Sequence, residues 1–147
     1  MKGPTLRMLL LSACLCPLGV QAVDLPQPKS GLWETRIKLT SSKNSAPTIQ
    51  VLRVCVDAST AARDKSDADK YVKDNCKKSA TKRIGADWVT DSVCSLGASV
   101  VTGHMVLRFS GENAYRVQTD TKYAPALAGA TWTRMEVDAK RLGTCKP

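Results

Sequence analysis

The chain has one histidine, His104, one phenylalanine, and only three glutamates, Glu34, Glu112 and Glu136; it has no Cys-x-x-Cys spacing. Zinc sites draw on clustered cysteine and histidine, so no metal ligand set is present. A glycosidase needs two carboxylates facing each other across a cleft. The three glutamates fall on outward faces or turns of the predicted strands and give no such pair. Asp64, Asp67 and Asp69 lack the glycine and the distal glutamate of an EF-hand loop. Aromatic residues make up 5% of the chain, too few for a platform on which nucleic acid bases could stack. Internal repeats and low-complexity tracts are absent, and no motif fixes a molecular function. No residue is assigned a catalytic role, and no cofactor is implied.

What is present begins at the N-terminus. Met1–Arg7 carries Lys2 and Arg7, the apolar stretch MLLLSACLCPLGV follows, and VQA ends at Ala22. That is the layout of a secretory signal peptide, residues 1–22, with an apolar part too short to span a bilayer. An alternative stands beside it: Leu11-Ser12-Ala13-Cys14 resembles a lipobox, which would anchor the chain through a lipid on Cys14. With the signal removed, Lys2 and Arg7 leave, and the +9 charge of the full chain falls to +7. The processed chain is expected in the periplasm or secreted. It divides into a linker, residues 23–30, rich in proline, and a single antiparallel β domain, residues 31–147.

Four cysteines remain: Cys55, Cys76, Cys94 and Cys145. An even count in an exported chain predicts two disulfides. Gly85 lies nine residues from both Cys76 and Cys94, as the tip of a hairpin would. A two-residue Gly85-Ala86 turn would put the cysteines on opposite faces. A three-residue loop or a bulge keeps them together. Cys76–Cys94 is the expected bridge, leaving Cys55–Cys145 by elimination, although four cysteines allow three connectivities.

The rest reads as strands. In LWETRIKLT, Trp33, Thr35, Ile37 and Leu39 share one face and Glu34, Arg36 and Lys38 the other. TIQVLRVCV is β-branched and apolar on both faces, which predicts a more central strand. Residues 57–75 predict a short surface helix, frayed after Lys65, with Asp57 or Ser59 as its cap. In SVVTGHMVLRF, Val101, Met105, Leu107 and Phe109 oppose Thr102, His104 and Arg108. Reflection about Glu112 sets Phe109 against Tyr115, Leu107 against Val117 and Met105 against Thr119. APALAGA reads as a flexible turn, and the last strand points Thr133, Met135 and Val137 inward. The fold class is mainly β: a curved antiparallel meander sheet or partial barrel of about seven strands, with one short helix over an opening or edge.

Gly31-Leu32-Trp33-Glu34 at the start, Arg53-Val54-Cys55-Val56, Asn75-Cys76 before the Gly85 hairpin, Thr102-Gly103-His104-Met105 and a closing Arg141-Leu142-Gly143-Thr144-Cys145 occur together. In this the chain resembles a family of small exported proteobacterial proteins known as domain of unknown function number 3617. The resemblance implies an exported location and paired cysteines, and brings no activity. Such proteins often carry a proline- and methionine-rich loop after the second strand, where this chain has its charged helical segment.

Three features remain as candidate sites. The apolar face (Trp33, Ile37, Met105, Leu107, Phe109, Tyr115, Val117, Met135 and Val137) forms a closed core or, in an open sheet, a cleft for a small apolar ligand or partner segment. Lys70, Lys73, Lys77, Lys78, Lys82 and Arg83 form a solvated basic face that protects an edge, or attract an anionic envelope surface. His104, with Ser110 and Asp120 elsewhere, has no partner assembled by spacing. The leading expectation is a non-enzymatic binding domain of the cell envelope. A structural or stress-related protein docking on anionic surfaces, and an undetected hydrolase, are the alternatives.

Overall fold

A computed structural model describes residues 25–145. The expected signal peptide, residues 1–22, and the Cys14 alternative lie outside the described residues. The element order is β1 (Gly31–Ser41), β2 (Asn44–Val56), α1 (Ala58–Asn75), β3 (Cys76–Ile84), β4 (Asp87–Leu96), β5 (Ser99–Phe109), β6 (Ala114–Leu127) and β7 (Ala130–Gly143). All seven strands form one open antiparallel sheet in the order β2-β1-β7-β6-β5-β4-β3. Strands β3 to β7 are a meander, and β1 joins it by pairing with β7. The expected class therefore holds, with β2 and β3 as the two edges.

The chain between these edges constrains the shape. β2 ends at the end of the sheet where β1 begins, whereas β3 starts at the opposite end, so α1 joins opposite corners. Seven strands laid flat are about 29 Å wide, and opposite corners lie farther apart than that width. Eighteen helical residues reach only about 27 Å. The sheet must curl to bring its corners within reach.

Both hairpins read from the sequence have their expected partners, and one resolves a conflict. The β3–β4 turn is the two-residue Gly85-Ala86 form, with Ile84 opposite Asp87. Gly85 adopts φ +61°, which costs a glycine nothing. That turn alone would miss the cysteine pair by one residue, but a bulge between Cys76 and Lys78 restores it. Cys76 opposes Cys94 and bonds to it. Cys55 bonds to Cys145, Cα–Cα 5.6 Å, bridging the end of β2 to the chain beyond β7. The β5–β6 ladder sets Phe109 against Tyr115, Leu107 against Val117 and Met105 against Thr119, as the reflection about Glu112 predicts.

Three expectations are corrected. The segment TIQVLRVCV is an edge strand, not a central one: β1 spends its other side on β7, and β2 runs into the helix. β-Branched residues on both faces set the extended conformation, not the number of neighbours. The helix does not fray after Lys65 but continues to Asn75. Asp57 caps it by accepting from the Thr60 amide. Lys65–Asp69 and Lys70–Asp74 pair one turn apart, and the Asn75 side chain donates to the Tyr71 carbonyl. None of its residues is buried, so local pairs and the Cys76 anchor hold it rather than an apolar face. Finally, Ala124–Leu127 extend β6, and the turn contracts to Ala128-Gly129.

Among the described residues, buried apolar ones are few: Trp33, Val89, Cys94, Leu107 and Ala139. Trp33 is 3% exposed and donates its indole N–H to the Lys29 carbonyl at 2.8 Å, which lays the linker against the start of β1. Gly31 is required beside it. At φ +147° a Cβ there would stand 2.3 Å from the Gly143 carbonyl oxygen.

Candidate binding face

Strand register sorts the side chains into two unlike faces. Ile37, Val137, Val117 and Leu107 lie in one transverse row, continued on β4 by Trp88. Leu39, Met135, Thr119 and Met105 form the next row. At the other end Trp33, Tyr115 and Phe109 form a chain of rings, with centroids 5.4 and 5.5 Å apart. Trp88 closes it edge-on to Phe109 at 6.1 Å. All nine predicted apolar residues are thus brought to one face.

That face is one layer thick. Trp33 and Leu107 are buried, while Ile37, Met105, Phe109, Tyr115, Val117, Met135 and Val137 are half-buried. The sheet is open, so they do not form the interior of a closed barrel. The helix packs against β3 and β4, at the edge of the sheet rather than over β1, β7 and β6. At the aromatic end a concavity of about 420 Å³ lies between Pro26, Lys29, Trp88 and Phe109, under the linker. Burial holds the Tyr115 phenol above its ordinary pKa.

Trp88 and Ala139 belong to this face but escape the sequence reading. The signal for Trp88 was available: the Gly97-Ala98 turn sets Leu96 against Ser99, and counting back places Trp88 opposite Leu107. Arg83 covers the Trp88 ring at 4.9 Å from its centroid. That removes Arg83 from the free basic cluster.

The opposite face is a ladder of ion pairs. Arg108 holds Asp87 through two hydrogen bonds, of 2.5 and 2.7 Å, and Arg116 holds Asp138 at 2.6 Å. Arg134 pairs with Asp120, Arg53 with Glu34, and Lys38 with Glu136. Hydrogen bonds from the paired arginines draw Asp87 and Asp120 below the usual carboxylate range. The same contacts raise Arg108 and Arg134. A concavity of about 1040 Å³ lies on this side, lined by Arg36, Asp87, Arg108, Arg116 and Asp138 among others. Of its cations, Arg108 and Arg116 are paired with carboxylates one strand away, Arg141 donates to the Ser30 carbonyl, and Arg36 and Lys140 form no ion pair among the described residues.

His104 stands between two carboxylates, opposite Asp91 on β4 and Asp120 on β6. Its Nδ1 lies 2.7 Å from Asp91 Oδ1, and this hydrogen bond draws Asp91 below its ordinary range. Asp91 is a partner that sequence spacing did not find. Ser110 lines the same concavity, but no hydrogen bond joins it to His104. Glu34, Glu112 and Glu136 pair instead with Arg53, Lys29 and Lys38. Among the described residues no group of three potential metal ligands converges, and no helix is long and apolar enough to cross a membrane.

The predicted basic cluster is divided. Lys70 is tied to Asp74 and Arg83 to the Trp88 ring, whereas Lys73, Lys77, Lys78 and Lys82 form no ion pair among the described residues. These four follow the end of α1 and the β3 edge.

The sequence matches the family described as "Protein of unknown function (DUF3617)" over residues 28–145. No curated protein and no solved structure matches it.

Proposed function

The chain belongs to the DUF3617 family, and from that premise we propose that it is an exported, non-enzymatic domain that holds a small apolar ligand on the open apolar face of its sheet. One observation carries the reading. Ile37, Val137, Val117 and Leu107 align across four neighbouring strands, and the helix packs elsewhere. Leu107 of this row is buried, while Ile37, Val117 and Val137 are half-buried, and a continuous apolar row left half-open suits an apolar ligand that completes its cover. The methionines Met105 and Met135 suit such a face, because their flexible side chains adapt to varied apolar shapes. Export rests on the N-terminal layout and on two disulfides, which persist in oxidising compartments.

Native mass spectrometry of the processed chain, taken directly from cells, tests the proposal. A co-purifying apolar molecule is expected, and Val117→Glu should lose it while retaining the far-UV spectrum. Repeated preparations free of ligand, together with no binding of an environment-sensitive apolar dye, would overturn it.

A second reading is favoured by Lys73, Lys77, Lys78 and Lys82 along α1 and β3, which form no ion pair among the described residues: a structural or stress-related role in which this edge docks on an anionic envelope surface. Binding to vesicles rich in anionic lipid should then weaken steeply with salt. Salt-independent binding would eliminate it.

A further inference from the structure

The two edges of the sheet are built differently. β3 carries Lys77, Lys78, Lys82 and Arg83 in nine residues, a common device for keeping other strands away. β2 has no such protection along most of its length. Ile49, Val51, Leu52 and Val54 are 47, 55, 46 and 48% exposed, and they cover both faces of the strand. Its one charge, Arg53, is neutralised by Glu34 on β1, with 2.7 Å between them. Pro47 removes a backbone donor at one end, and the Asp57 cap turns the chain into α1 at the other. The segment between them, Thr48–Val56, is an extended apolar strand with a neighbour on one side only.

We propose that β2 is a homodimer interface, in which Thr48–Val56 of two copies pair antiparallel about a two-fold axis at Leu52 and join two seven-stranded sheets into one. Full overlap of the segment places the axis at its midpoint. Leu52 then meets Leu52 of the partner subunit, Val51 meets Arg53 of the partner subunit, Gln50 meets Val54 of the partner subunit, and Ile49 meets Cys55 of the partner subunit. No like charges are directly opposed. The same construction on β3 centres on Ala80. It would set Lys78 against a second copy's lysine at position 82, and Lys77 against an arginine at position 83, each contact occurring twice. Directly opposed like charges destabilise a strand pair. Charge therefore selects β2 over β3 for self-association. A two-fold pairing of one edge with itself closes at two copies and does not propagate. The proposal concerns the sheet edge and stands apart from the use of the apolar face.

Sedimentation velocity of the processed chain over a concentration series reads the outcome. A concentration-dependent dimer is expected. Leu52→Lys, which opposes two lysines on the axis, should weaken it about tenfold or more, and Val54→Lys should act in the same direction. Val51→Glu places a carboxylate opposite the partner's Arg53 twice and should strengthen it. Ala80→Glu on β3 should leave it unchanged. Each variant alters an exposed side chain, and far-UV circular dichroism verifies its fold. A monomer at every concentration overturns the proposal, as does a dimer indifferent to both lysine variants. A Val51→Glu dimer weaker than the wild type overturns the register.

Discussion

The two disulfides make unequal contributions to stability, and the structure says in which order. Cys76 and Cys94 already face each other on a hydrogen-bonded hairpin and are 18 residues apart in sequence. Cys55 and Cys145 are 90 residues apart, and their bridge spans β1, because β2 and β7 share no ladder of their own. In the chain-entropy account a bridge stabilises by restricting the unfolded chain, increasingly with loop length. The short loop gives about 3 kcal/mol and the long one about 4.5 kcal/mol. With so few buried apolar residues the domain has little reserve to absorb either loss. The perturbations are Cys76→Ala with Cys94→Ala, and Cys55→Ala with Cys145→Ala. Equilibrium urea unfolding of residues 23–147, followed by tryptophan fluorescence, supplies the free energies. Thermal midpoints should fall by roughly 12 and 18 °C respectively. The reasoning is refuted if removing Cys76–Cys94 costs more, or if neither removal lowers the midpoint.

Trp33→Ala removes the most deeply buried aromatic residue and should cost about 3–5 kcal/mol in the same urea assay. Because Trp33 packs on Tyr115, the raised Tyr115 pKa should fall back toward 10.0 in this variant, as read by ultraviolet titration; an unmoved phenol would contradict the packing. Asp57 has its pKa lowered from 3.8 to about 2, chiefly by the hydrogen bond from the Thr60 amide. A depressed carboxyl stabilises when ionised, so its contribution is complete above pH 3.8 and is lost as pH falls through about 2. Amide exchange in the first turn of α1 should therefore be faster in Asp57→Ala than in the wild type at neutral pH. The two should converge near pH 2, and a difference that persists there would show that the carboxylate is not the cap.

The local grammar of the chain was legible to the residue in places. Reflection about Glu112 gives the β5–β6 register because a two-residue side-chain period and a tight turn leave few alternatives once one face is apolar. The Cys76–Cys94 pair was legible too, although the bulge that permits it was one of two possibilities. The apolar face was nearly complete, lacking Trp88, which counting back from the Gly97-Ala98 turn places opposite Leu107, and Ala139, the next position on the face of Met135 and Val137. Around His104 the sequence named Asp120 but not Asp91, whose hydrogen bond depends on a register across a different turn.

By itself, then, the sequence determined strand positions, turn sites, the disulfide count and the division of side chains into an oily face and a charged one. These follow from interactions between residues near in the chain or symmetric about a turn. Only the tertiary structure decided that β1 pairs with β7, that β2 consequently lies at an edge, and that α1 joins opposite corners of an open sheet. A strand's own residues encode its conformation and its faces. How many neighbours it has depends on where distant strands find their partners, and at β2 that leaves an apolar edge with one neighbour.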